Sequence, residues 1–242
     1  MSETEFKTGV IRPVECFKEG WELIKSQYWM LFAVTLVGAM LGGASLYILL
    51  GAMICGIYLC YFRALDGKKV EFDALFKGFS YLLPSLLLVV AIILPTIFIM
   101  MIVYAPFIAA IVMGQHLSPD EFLSLIIGGL VVDLIAVVIM VCFHTLLMFA
   151  FPLMVDRNLT AGQAIKMSVK AVWKNLSGVA GIAGVGFVLS LLGTLVFCIG
   201  TYFVIPIIIA GNIVAYRKVF PRLQTDNQPP PPSAYSGAGS YN

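Results

Sequence analysis

Charge is scarce in this chain. Of 242 residues only 15 are Lys or Arg and 13 are Asp or Glu, 12% in all, where an ordinary soluble domain carries about 25%. Histidine is scarcer still, at two residues, so a His-rich metal site cannot be built. The formal net charge of +2 is too small to suggest a nucleic-acid partner. Enzyme signatures are missing as well: there is no HExxH, no GxSxG and no GxxxxGK followed by Ser or Thr. The chain therefore reads as non-enzymatic, with no catalytic residue, no metal site and no cofactor expected. Its five cysteines (Cys16, Cys55, Cys60, Cys142 and Cys198) form no CxxC or Cys/His ligand pattern. Four of them lie in apolar runs and read as small hydrophobes between helices, while Cys16 precedes a membrane entry, where it could be acylated. No cleavable leader is visible either. The first 28 residues hold Glu3, Glu5, Glu15, Glu19 and Glu22 and no apolar core, so the first hydrophobic span is expected to act as the insertion signal.

What is abundant is apolar surface. Sixty per cent of the residues are A, V, I, L, M, F, W, Y or C, and the mean hydropathy is +0.98. A water-soluble sphere could not hide that much, so lipid must solvate part of it, and a multi-pass membrane protein is the implied class. Apolar runs cover roughly 29–63, 81–113, 122–155 and 177–216. The first and last are too long for one helix, and each breaks at small residues, Leu41 to Ser45 and Leu192-Gly193-Thr194. Six spans result, near 29–43, 45–63, 82–105, 126–152, 177–193 and 195–216.

The basic residues then fix an orientation. Lys7, Arg12, Lys18 and Lys25 precede span 1. Arg63, Lys68, Lys69 and Lys77 lie between spans 2 and 3, and Arg157, Lys166, Lys170 and Lys174 between spans 4 and 5. Arg217, Lys218 and Arg222 follow span 6. All 15 fall on one side and none in the three opposite loops, so both termini are expected in the cytoplasm. Spans 3 and 4 are unusually long. Pro84, Pro95 and Pro106 recur every 11 residues, where kinks or unwinding are expected. Ser118-Pro119-Asp120-Glu121 is a helix start with Pro at its first position. A hairpin that tilts or projects beyond the outer surface is the predicted outcome.

Three segments at the cytoplasmic side are amphipathic. Before span 1, Val14, Phe17, Trp21, Ile24 and Tyr28 share a face, with Glu15, Lys18, Glu22 and Lys25 elsewhere. Before span 5, Ala161, Ile165, Val169, Val172 and Leu176 are apolar, with Lys166, Lys170 and Lys174 four apart and Trp173 beside them. Phe72, Leu75, Phe79 and Leu83, next to Lys77, form a shorter case. Phe17, Trp21, Lys166, Lys170, Trp173 and Lys174 are the expected interfacial anchors, with anionic lipid as partner.

The pattern also repeats. Cys16-Phe17-Lys18 aligns with Ala164-Ile165-Lys166, and the last spans of the two units end at Tyr61-Phe62-Arg63 and Tyr216-Arg217. Equal orientation makes the repeat parallel, with units of about 13–63 and 160–217 around an inserted hairpin of about 81–155. Gly38 and Gly42 in span 1, and Gly178, Gly181 and Gly184 in span 5, are candidate close-packing positions, and both spans are expected to pack closely in the bundle.

Asp156 after span 4, Ala164 to Ser168 in the following helix, and Gly200, Pro206, Ala215 and Tyr216-Arg217 in the last span carry a resemblance. Over most of residues 13–220 the chain resembles bacterial six-span integral membrane protein families related to the membrane domain found fused to glycerophosphodiesterases. The phosphodiesterase domain itself is absent. The resemblance implies architecture, a bacterial cytoplasmic (inner) membrane location, and no transferable catalytic residue.

Two ionisable side chains lie well inside the runs, Asp133 and His144, both on span 4 and 11 residues apart, hence nearly on one face. They could line a proton or cation pathway with Asn212 as polar partner. Alternatively, Asp133 lies near the outer interface and His144 bonds a backbone carbonyl freed by a kink. After Phe220 the composition changes abruptly, with four consecutive prolines (Pro229 to Pro232) followed by Ser, Ala, Tyr and Gly. That tail reads as disordered, with a polyproline II stretch, either plainly solvated or docking weakly on a partner. The predicted layout is a cytoplasmic segment 1–12, an all-α six-span membrane domain 13–220 and a tail 221–242. Its expected function is membrane organisation or an accessory role in a membrane complex, with protein partners or copies of itself. The alternative is a carrier or channel for a small solute, ion or lipid along the Asp133/His144 face.

Overall fold

The computed structural model describes residues 6–112, 118–196 and 199–222. The expectations for the Pro-rich tail and for Cys198 lie outside these described residues. Among them all regular structure is helical: α1 (Pro13–Ile24), α2 (Tyr28–Ala44), α3 (Leu50–Leu65), α4 (Asp73–Phe76), α5 (Leu82–Val112), α6 (Pro119–Leu146), α7 (Ala150–Arg157), α8 (Ala161–Lys174), α9 (Leu176–Leu195) and α10 (Gly200–Val219). Short 3-10 turns, Lys25–Gln27 and Lys77–Tyr81, lead into α2 and α5. Five helical stretches are long and apolar enough to cross a membrane: Pro13–Ala44, Asp73–Ala109, Asp120–Arg157, Leu176–Leu195 and Gly200–Val219. The apolar α3, at 16 residues, is shorter.

Local chemistry accounts for the boundaries. Ser45 ends α2, its hydroxyl donating to the Gly42 carbonyl at 2.9 Å and accepting from the Leu49 amide at 3.0 Å. The turn is tight enough to hold Leu46 and Tyr47 at φ of 51° and 68°. α6 starts on the reciprocal cap of Ser118 and Glu121, the Ser118 amide donating to the Glu121 carboxylate at 2.8 Å. α5 runs as one helix through Pro95 and Pro106, although each proline removes an intrahelical donor.

Helix α10 is the hub, with α1, α2, α3 and α9 packed around it. The core lies toward one end. Tyr216, Phe149, Phe220, Leu153 and Met154 fill one part of it, and Leu31, Met53, Tyr61 and Leu75 the other. The α5–α6 hairpin is mostly exposed, with residues such as Leu94, Phe98, Leu130 and Leu134 directed outward. Apolar exposure on this scale fits a hydrocarbon solvent, in which helices associate by close fit.

The close fit is made by glycine. Gly56 on α3 and Gly78 in the turn before α5 bring two backbones together: a β-carbon at Gly56 would collide with the Leu75 carbonyl, and one at Gly78 with the Ala52 carbonyl. Gly20 of α1 meets α10 in the same way, its β-carbon position 2.8 Å from the Gly211 amide nitrogen.

Those contacts reassign part of α1. Phe17, expected as an interfacial anchor, and Ile24 on the same apolar face are buried against protein, Phe17 lying on Gly211. Trp21 and Phe79 stay partly exposed. Of the two spans expected to pack closely in the bundle, α2 packs on α3 and α10, and α9 packs on α10 and α1. The glycines follow suit. Gly38 faces Ile57 and Leu75, Gly42 faces Leu50, Gly178 faces Ile11, Gly181 faces Pro13, and Gly184 faces open space.

Candidate functional site

The apolar stretch 120–157 does not run as one helix. α6 stops at Leu146 and α7 restarts at Ala150. The cause is local: Pro152 lacks the N–H that a continuing helix would give to the Met148 carbonyl. Other bonds hold the chain across the break. The Leu147 amide bonds the His144 carbonyl at 3.1 Å and the Met148 amide the Thr145 carbonyl at 3.2 Å. Ser168, reaching from α8 and fully buried, accepts from the Phe149 amide at 3.2 Å and donates to the Leu146 carbonyl at 2.7 Å.

This break opens a cleft of about 530 Å³ where α3, α5, α6, α7, α9 and α10 approach one another. Isoleucines dominate its wall, among them Ile54, Ile92, Ile182 and Ile208. Tyr58, His144, Thr145, Ser190 and Asn212 supply polar groups. His144 Nδ1 lies 2.8 Å from the Met140 carbonyl oxygen, which only accepts, so Nδ1 carries the proton and Nε2 of the neutral ring is an acceptor. Two of the three residues expected to act together, His144 and Asn212, do line one cleft. Asp133 does not. It stands 24 residues before Arg157, about 36 Å if the axis were straight, which is more than the ~30 Å of a hydrocarbon core.

A second site closes the other end of α7. Asp156 accepts two bonds from Arg217, at 2.8 Å from Nη2 and 3.1 Å from Nη1, and a third at 2.8 Å from the Tyr216 hydroxyl. The Arg217 guanidinium also lies 5.3 Å from the Phe62 ring centre, and Arg157 lies 5.1 Å from that of Phe220 while donating to the Pro221 carbonyl at 3.3 Å. Arg222 pairs with Asp66. Phe62, Asp66, Asp156, Arg157, Arg217 and Arg222 wall a cleft of about 490 Å³. Asp156 and Tyr216-Arg217 are thus one another's partners, and with Phe62 they bind the ends of α7 and α10 to α3.

The interfacial anchors sit apart from both clefts. On α8, Ala164, Met167, Ser168, Ala171 and Val172 face the core. Lys166, Lys170, Trp173 and Lys174 face outward, with Ile165 and Val169, around a shallow groove of about 430 Å³. Trp173 is 70% exposed, and Lys170 Nζ lies 5.9 Å from the Phe6 ring centre. Among the described residues, no three His, Cys, Asp or Glu side chains group closely enough to hold a metal ion. The Pro152 break and its Ser168 cap had a readable signal, Phe151-Pro152 inside an otherwise unbroken run. The Asp156–Arg217 pairing joins residues 61 positions apart and had none. No protein-family model, no curated protein and no solved structure matches this chain.

Proposed function

We propose that this is a non-enzymatic, multi-pass membrane protein that organises anionic lipid at its cytoplasmic face. The outward face of α8 carries this reading. Three lysines and an exposed tryptophan line a groove, with the opposite face of the helix locked into the core. Indole rings settle at headgroup level, and each lysine there attracts anionic lipid by up to about 1 kcal/mol. α3 serves as the sixth span, so that every Lys and Arg lies on the cytoplasmic side with both termini, in a bacterial cytoplasmic membrane. The recurrence of a short helix before two apolar ones, α1–α2–α3 and α8–α9–α10, supports the parallel repeat and the resemblance to bacterial six-span families. The α5–α6 hairpin, with Asp133 near the outer surface, then projects outward as the face for protein partners or further copies. The cleft holding His144 and Asn212 favours a second reading, a carrier for a small or lipidic solute.

Trp173 reports on the first reading directly. In a Trp21→Phe, Trp29→Phe chain reconstituted in vesicles, acyl-brominated phosphatidylglycerol is expected to quench Trp173 several-fold more effectively than brominated phosphatidylcholine at low salt. The preference should shrink as salt screens it, and vanish in the Lys166→Gln, Lys170→Gln, Lys174→Gln variant. Equal quenching by both lipids in the unsubstituted background would remove the reading.

A further inference from the structure

The polar groups of the cleft between α6, α9 and α10 are not used by the fold. Among the described residues, the Asn212 amide, the hydroxyls of Tyr58, Thr145 and Ser190, and His144 Nε2 make no hydrogen bond, although all five residues line the same space. Polar groups without partners are costly in an apolar surrounding, and more so at membrane depth, where water is not at hand. Five of them converging on one cleft therefore mark a place for an occupant that hydrogen-bonds.

Their chemistry narrows the occupant. None of the five is an Asp, Glu, Lys or Arg, so a phosphate or ammonium head would enter without a fixed counter-charge. The set offers both donors, from the amide and hydroxyls, and acceptors, from Nε2 and the amide oxygen. A neutral head with a hydroxyl and a carbonyl satisfies both. Depth narrows it further. Asn212 lies five residues, about 7.5 Å, inward of Arg217, which places the polar rim at inner-leaflet acyl depth when Arg217 marks the cytoplasmic surface. Entry at that level is lateral, from hydrocarbon. The isoleucine walls suit an alkyl chain, and about 530 Å³ lies within the roughly 300–1,000 Å³ of small-molecule sites.

We infer that this cleft binds a neutral, hydroxyl-bearing glycerolipid of the diacylglycerol class, head toward Asn212 and His144 and chain along the isoleucines. This rests on the membrane placement proposed above and gives the carrier reading its ligand class.

The full chain in phosphatidylcholine nanodiscs tests it with two photoreactive probes, a diacylglycerol and a phosphatidylcholine bearing the same diazirine acyl chain. After irradiation and peptide mapping, the diacylglycerol probe is expected to label 144–148, 182–190 and 208–212 about five-fold more than the phosphatidylcholine probe, the discrimination of a hydrogen-bonded head. Unlabelled diacylglycerol should compete, and Asn212→Leu should bring labelling down to the phosphatidylcholine level. Should that variant fold poorly, Thr145→Val with Ser190→Ala takes its place, with the same loss expected. Equal labelling of the cleft by the two probes, as for a cleft that holds only water, overturns the proposal. So does undiminished labelling in a well-folded variant. Trp173 quenching distinguishes the failures: an anionic-lipid preference that survives beside equal cleft labelling rejects this ligand and leaves the surface reading standing.

Discussion

Replacing Gly56 with valine is expected to destabilise the full chain by about 3 kcal/mol, at the upper end of what over-packing costs. Outside such a contact, Gly→Ala in a helix gains up to about 1 kcal/mol through propensity. At Gly56 the sign reverses, because the added carbon meets the Leu75 carbonyl, a backbone atom that cannot rotate away. Relief would require α3 to part from α4, breaking the contacts of Met53, Ile57 and Leu75 in the core. Gly78→Val should have a comparable effect from the other side of the same contact, and the pair should be non-additive, since either change already separates the two backbones. Gly43→Ala and Gly184→Ala, both opening onto free space, are the controls and should be neutral or slightly stabilising. Transfer from mild detergent into SDS, followed by far-ultraviolet circular dichroism and by thiol reactivity of the buried Cys16, Cys55 and Cys60, gives the ordering. A Gly56→Val chain as stable as Gly184→Ala would show that the α3 contact is not as described.

The Asp156→Ala chain should lose about 2–3 kcal/mol, somewhat less than the 3–5 kcal/mol of a fully buried pair, because the two side chains remain 19% and 18% exposed. The loss has two parts. Three hydrogen bonds disappear, and Arg217 is left between Phe62 and Tyr216 without its carboxylate. Asp156→Asn retains acceptor oxygen for one donor and should cost less. Asp156→Ala with Arg217→Met should cost less than the sum of the single changes, since the stranded charge is gone. The same SDS titration measures all four. Additivity of the two single changes would mean that the pair contributes nothing as a pair.

Much of the architecture could be read from the chain because lipid simplifies the problem. Every backbone group in hydrocarbon must be satisfied internally, so long apolar runs imply helices, and small-residue breaks such as Leu41 to Ser45 fall where α2 ends. The Ser118–Glu121 start was legible for a local reason: all its hydrogen-bonding partners lie within four residues. What stayed hidden was partner choice. The periodicity of Phe17 and Ile24 marks an apolar face but does not distinguish lipid from protein. Gly20 and Gly211 decide it by letting α1 sink onto α10, and only the pairing of two distant glycines reveals that. The GxxxG of Gly38 and Gly42 likewise shows that something approaches closely, not that the something is α3 and its neighbour Leu75. For the site, His144 and Asn212 stood out as polar residues in apolar runs, and they share a cleft. Tyr58, Thr145 and Ser190 did not stand out, because hydroxyls in membrane helices are common and usually bond their own backbone.

The account turns on α3 crossing the membrane, so that the loops on either side of it face opposite compartments. Single cysteines can be placed at Ser45 and Lys69, and on either side of α9 at Lys174 and Thr194, in a chain whose own cysteines are replaced by alanine. An impermeant maleimide applied to right-side-out and inside-out vesicles then reads the side of each. The expected result is Ser45→Cys and Thr194→Cys labelled only from outside, with Lys69→Cys and Lys174→Cys labelled only from the cytoplasmic face. Labelling of Ser45→Cys and Lys69→Cys from the same side would remove α3 as a span, and the one-sided placement of the basic residues with it.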